Sequence, residues 1–182
     1  MKMLVHREAG DEVLPFDLPA LKNFIRVDTD EDDAEITNMG RTAAAEIEQF
    51  AQIALLNQTI RITIFNPSFE YGLSLPVGPV ASDHQPTVTV DGQLFAAFDF
   101  ASGNRPFIRW LADWHDLTPR RMTVEYQAGF GATAADIPPD LAQALMDQAA
   151  LHYDGRSPMN HKELTTSPHM ARIGARYRGV QL

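Results

Sequence analysis

At 182 residues, with 45% hydrophobic and 21% charged side chains, the chain is long enough to bury one ordinary core and is too apolar for a disordered or fibrous protein. It contains no cysteine, which excludes disulfides, thiolate zinc sites, iron–sulfur clusters and a cysteine nucleophile. The net charge of -9 is unevenly placed: residues 1–154 hold 10 Lys and Arg against 23 Asp and Glu, and residues 155–182 hold 5 against 1, so an acidic body that repels phosphate carries a basic tail.

The opening residues, Met1 to Arg7, have no apolar core of a leader, and the longest clean apolar run, Leu94 to Phe98, is far too short to span a bilayer. A soluble protein made in the cytoplasm is expected, with no membrane partner. Leu18, Leu21, Phe24 and Ile25 recur at helical spacing after Asp17 and Pro19 and predict a helix over 17–26. Acids from Asp28 to Asp33 then suit a helix start by capping and by the macrodipole. Ile36, Gly40, Ala43, Ile47, Phe50 and Ala54 follow as the seam of a long amphipathic helix over 31–55.

Residues 58–127 read as strand-rich. Ile60, Ile62 and Ile64 alternate with Thr59, Arg61 and Thr63, the pattern of a half-buried strand. Shorter strands are expected at Tyr71 to Leu75, Thr87 to Val90, Leu94 to Phe98, Phe107 to Trp110 and Met122 to Tyr126, with a turn at Asp91-Gly92. Pro138-Pro139-Asp140 opens a last helix over 139–154, with Leu141, Leu145, Ala149 and His152 on one face. Beyond it, Pro158, Ser167-Pro168 and Gly174 break a basic tail, residues 157–182, into which only a short turn of helix is expected. The class is α+β, with residues 1–156 as one domain.

Chemistry-bearing patterns are sparse. The acids at 28–33 lack the spacing and glycine of a calcium loop, and a helix start explains them. Gly129-Phe130-Gly131-Ala132-Thr133-Ala134 matches a permissive dinucleotide fingerprint, but the helix is delayed to Pro139 and no strand follows it, so a backbone turn is the better reading. The six histidines form no metalloprotease motif, and no serine sits in a nucleophile elbow. No cofactor, metal or catalytic residue is assigned. The aromatic side chains Phe95, Phe98, Phe100, Phe107, Trp110 and Trp114 gather in the strand-rich middle, as a core or a subunit contact.

Val124-Glu125-Tyr126-Gln127-Ala128-Gly129-Phe130-Gly131, then Asp136-Ile137-Pro138-Pro139-Asp140 and Tyr153 to Arg156, resembles the head-tail connector family of long-tailed phages, prophages and gene transfer agents. That family pairs a strand ending in Tyr-x-Ala-Gly-(Tyr/Phe)-Gly with an Asp-(Ile/Val)-Pro helix start. Leu75-Pro76-Val77-Gly78-Pro79-Val80 is similar to the family's Leu-Pro-x-x-Pro turn, and the likeness covers roughly residues 18–156. Ala54-Leu55-Leu56 departs from the Thr-Gly helix end of many relatives, and residues 82–109 are longer and more aromatic than in a minimal member.

The resemblance implies a helical bundle, a long central helix plus a C-terminal helix, with a small antiparallel β-sandwich or barrel-like insertion. It implies a structural adaptor, not an enzyme, that self-assembles as a ring, commonly of twelve, between the portal protein and the next neck protein, the stopper. The ring would sit in the particle neck, assembled in the bacterial host cytoplasm, with passing DNA contacted without sequence-specific binding. Alternatives are another neck component, a stopper or a tail terminator, or a small particle-associated hydrolase. Portal binding is expected from Arg172, Arg176, Tyr177 and Arg178, in a tail that orders on docking. Contacts with neighbouring subunits or the next neck protein are expected from Phe95, Phe98, Phe107, Trp110 and Trp114.

Overall fold

The computed structural model describes residues 2–8, 13–67, 72–111, 119–156 and 166–178. The chain forms two compact units, one of Met1–Gly10 with Asn57–Phe130 and one of Asp11–Leu56 with Gly131–Leu182. The first holds the strands and the second the helices, an α+β arrangement.

In the helical unit, α1 spans Leu18–Ile25 and starts where the Asp17 carboxylate accepts the Ala20 N–H at 3.0 Å. It ends at Arg26 in the left-handed region, whose neighbour Val27 donates back to the Lys22 carbonyl at 3.0 Å. The long helix α2 spans Asp33–Ala51 and buries Ile36, Gly40, Ala43, Ala44, Ile47 and Ala51. Its small residues serve close packing: a Cβ on Gly40 would lie 2.4 Å from the Phe16 ring, which occupies that notch.

Two expectations about α2 change. Asp32 at its start makes no side-chain cap bond, and the neighbouring acids instead hold a lysine: Asp30 and Asp33 each lie 2.6 Å from Lys22 Nζ. Those contacts raise the Lys22 pKa and lower that of Asp30. The helix also stops at Ala51 rather than residue 55, because Gln52 turns left-handed at φ 56° and Glu48 takes over the next amides. The Glu48 carbonyl accepts from Ile53 at 3.2 Å and its carboxylate from Leu55 at 2.7 Å. A continued helix would spread Ile53, Ala54 and Leu55 around its circumference, whereas the irregular chain buries all three.

Helix α3 spans Pro139–Gly155, with Leu141, Ala144, Leu145, Gln148 and Ala149 buried. It is preceded by a 3₁₀ turn at Ala134–Asp136, closed by the Asp136 carboxylate, which accepts from the Thr133 N–H and hydroxyl at 2.9 Å each. These donors hold the Asp136 pKa below its ordinary value. The tail was expected to carry only a short turn, but Pro168–Tyr177 forms a ten-residue helix, α4, packed on α2 and α3. Met170 and Ile173 are its apolar anchors.

In the sheet unit, β1 is Lys2–Glu8, β2 Gln58–Phe65, β3 Leu73–Ser74, β4 Thr87–Val90, β5 Gln93–Phe95, β6 Phe98–Ala101, β7 Phe107–Trp110 and β8 Arg121–Ala128. They form two antiparallel sheets, ordered β1-β2-β8-β4-β5 and β3-β7-β6, and not a closed barrel. Register places Ile60, Ile62 and Ile64 opposite Tyr126, Val124 and Met122, all buried. On the opposite face Arg61 bonds Glu125 at 2.9 Å.

Leu94 to Phe98 was expected as one strand; β5 instead stops at Phe95 and β6 begins at Phe98, in the other sheet. A single straight strand would serve only one sheet. β1 was not expected at all. Residue 71 of the strand predicted at Tyr71 lies outside the described residues, as do Trp114, His115 and His161.

Candidate functional site

Two sequence stretches joined only by resemblance meet physically in the sheet unit. The Tyr126 hydroxyl donates to the Val77 carbonyl at 3.0 Å and accepts from the Val77 N–H at 3.3 Å. Burial pushes this phenol well above its ordinary pKa, so it stays a neutral donor. Gly129, at φ 146°, donates to the Pro79 carbonyl at 2.9 Å. The Tyr-x-Ala-Gly strand end and the Leu-Pro-x-x-Pro turn are therefore two halves of one clasp. Gly78 has a packing reason as well: a Cβ there would lie 2.4 Å from the Asn104 carbonyl oxygen.

The dinucleotide reading fails on geometry too. The space a phosphate would need beside Gly131 is filled by Asp136, whose Cβ lies 2.3 Å from the position of an added Gly131 Cβ. Among the described residues there is no cluster of three or more acids and histidines able to hold a metal. No helix among them is long and apolar enough to cross a membrane.

In the helical unit, polar groups bind α4 to its neighbours. Buried Gln148 on α3 donates to Glu46 of α2 at 2.7 Å and accepts the Ser167 N–H at 2.8 Å. Ser167 in turn caps α4 by accepting the Met170 N–H at 3.0 Å. His152 also meets Glu46, at 3.0 Å, and His169 meets Asp147. Toward the far end of α4, Tyr177 donates to Asp140 at 2.9 Å. Partial burial and that bond push the Tyr177 pKa up to about 12. The contacts run in opposite chain order on the two helices, so α4 lies antiparallel to α3. Close approach to α2 requires Gly174, where a Cβ would lie 2.5 Å from the Phe50 ring.

This docking leaves cations outward. Arg172 is exposed and makes no ion pair among the described residues, and Arg176, one turn on, is exposed and lies 3.8 Å from Asp140. Arg178 caps the helix end and lies over the Phe50 ring, 5.9 Å from its centroid. Of the four residues expected to meet the portal, Arg172, Arg176 and Arg178 are exposed and Tyr177 is partly buried, with its hydroxyl bonded to Asp140. The Gln148 hub was missed, since nothing in a lone glutamine marks it as buried. A shallow groove of about 330 Å3 lies between α2 and α3, lined by Glu35, Asn38, Met39, Thr42, His152 and Arg156.

Of the expected aromatic contacts, Phe95 and Phe98 both meet Trp110 edge-on, with centroids at 6.1 and 6.4 Å, so β5 and β6 share one ring. Phe107 stands apart from them, 36% exposed and packed over Gly72.

The fold has precedents. Solved structures that share it are described as "Virion of native gene transfer agent (GTA) particle", at TM-score 0.78 and 24% identity, and "Neck of empty GTA particle computed with C6 symmetry", at 0.77 and 24%. Another is "Neck of native GTA particle computed with C12 symmetry", at 0.75 and 25%. Each alignment covers 98% of this chain and 97% of the other. No protein-family model matches the chain, and no curated protein sequence does.

Proposed function

We propose that this chain is a structural subunit of the neck of a gene-transfer-agent-like or phage-like particle, a head-tail connector that assembles as a ring between the portal protein and the next neck protein. The observation that carries the reading is the full-length fold likeness to chains in GTA virion and neck structures, two of them computed with C6 or C12 symmetry. The Tyr126 clasp supports it, because it gives a structural reason for the two stretches that carry the family resemblance. The role is assembly rather than catalysis. The sheet unit and the helical unit, with α4 part of the latter's bundle, act together as the connector.

The exposed Arg172, Arg176 and Arg178 form the portal-facing patch, and docking there brings guanidinium groups onto an acidic surface. The adaptor role, rather than that of stopper or terminator, rests on this patch. Acidic surfaces elsewhere on the chain pass DNA without holding it. A pull-down with the portal protein tests the assignment. Glu at all three arginines should abolish capture while the helical signal of the protein is unchanged. Undiminished capture would remove portal binding from α4, and capture of a tail protein instead of portal would favour the terminator reading.

A further inference from the structure

β1 stands at one end of the five-stranded sheet and is exposed on both faces, with Met3 at 40%, Leu4 at 50% and Val5 at 44%. It runs seven residues without proline, and among the described residues no strand lies along its outer row of backbone N–H and C=O groups. Long apolar edges of this kind are templates for another strand, which proteins ordinarily blunt by charge, bulge or cover. At the opposite edge, β5 has no strand on its outer side among the described residues and carries Leu94, 75% exposed.

We propose that the outer edge of β1 pairs with the β5 edge of a second copy of this chain, joining neighbouring sheets edge to edge. The inference rests on the ring reading above, and three observations single out a second copy as the occupant. A cyclic assembly needs two different, complementary patches on each subunit, and one sheet with two open edges supplies them. All neighbours in the sheet are antiparallel, so β1 and β5 point the same way; a rotation by a fraction of a turn preserves that sense and joins them as a parallel pair. The charges are also complementary. β1 carries Lys2 and Arg7 against Glu8, a net positive charge. Residues 81–99 around β5 hold Asp83, Asp91 and Asp99 and no Lys or Arg.

Paired cysteines test this without background, because the chain has none of its own. Four strand spacings of about 4.8 Å put Leu4 and Leu94 of one chain roughly 19 Å apart, beyond the ~7 Å reach of a disulfide, so any bond between them links two copies. The variant combining Leu4→Cys with Leu94→Cys, oxidised at assembling concentration, should give a reducible ladder of multimers. Neither single variant should be cross-linked by assembly, because its cysteine then faces a leucine of the next copy. Leu4→Glu should dissociate the assembly with the far-ultraviolet spectrum preserved.

Light scattering on the same samples separates the two readings. Multimers without a ladder overturn the β1–β5 contact and leave the ring. Monomers at every concentration contradict both.

Discussion

In the sheet unit, Ile60, Ile62 and Ile64 of β2 are each fully buried and meet Tyr126, Val124 and Met122 across a continuous antiparallel register. In the helical unit, α4 buries two apolar side chains, Met170 and Ile173, and is otherwise tied down through Ser167, His169 and Tyr177. The first is held by apolar area and ladder bonds, which resist opening; the second by a few specific polar bonds on a short helix. α4, which carries Arg172 and Arg176, is thus expected to open at lower cost than the β2–β8 pair.

The contrast sets an order of effects. Ile62→Ala, at the centre of the register, should destabilise the protein by about 3 kcal/mol through lost burial and a residual cavity, read as a lower urea midpoint. Gly174→Val forces atoms into the Phe50 ring and should cost about 1–3 kcal/mol by overpacking. Its loss should appear as faster hydrogen exchange confined to α4, with β2 and β8 protection unchanged.

Tyr177→Phe removes one bond to Asp140 and should cost about 1 kcal/mol. The folded pKa of Tyr177, about 12, lies above its ordinary 10.0, so its contribution is complete below pH 10 and is lost as pH rises through about 12. The wild-type α4 should therefore loosen in that window, and the phenylalanine variant should lack the corresponding step. Leu4→Glu, on an exposed strand, should change monomer stability by no more than about 0.5 kcal/mol while its effect on assembly is large.

The positions of α1, α2, α3, β2, β4, β7 and β8 were legible because each has a strong period or an unambiguous boundary, as in the Ile60-Ile62-Ile64 alternation. The Asp91-Gly92 turn was legible for a local reason: both residues adopt positive φ, 49° and 87°, which this pair tolerates. β1 was hidden because Met3, Leu4 and Val5 form a short apolar run without alternation, since neither face is covered. α4 was hidden by its two apparent breakers, Pro168 and Gly174. In the structure the proline sits in the first turn, where its missing N–H costs little, and the glycine is the notch for Phe50. The early stop of α2 depends on Glu48 capturing the Leu55 amide seven residues ahead, a bond no periodicity reports.

The outward arginines were visible as charge, yet Tyr177 looked the same as they did. Its hydroxyl bond to Asp140, 37 residues away in sequence, gives it a contact within the chain that its place in a basic tail does not reveal.

The connector assignment is tested most directly by removing this chain from cells that produce the particle and imaging the products by electron microscopy. The account predicts filled heads and free, unjoined tails, restored to whole particles by supplying the wild-type chain. Normally tailed particles in the absence of the chain would contradict it.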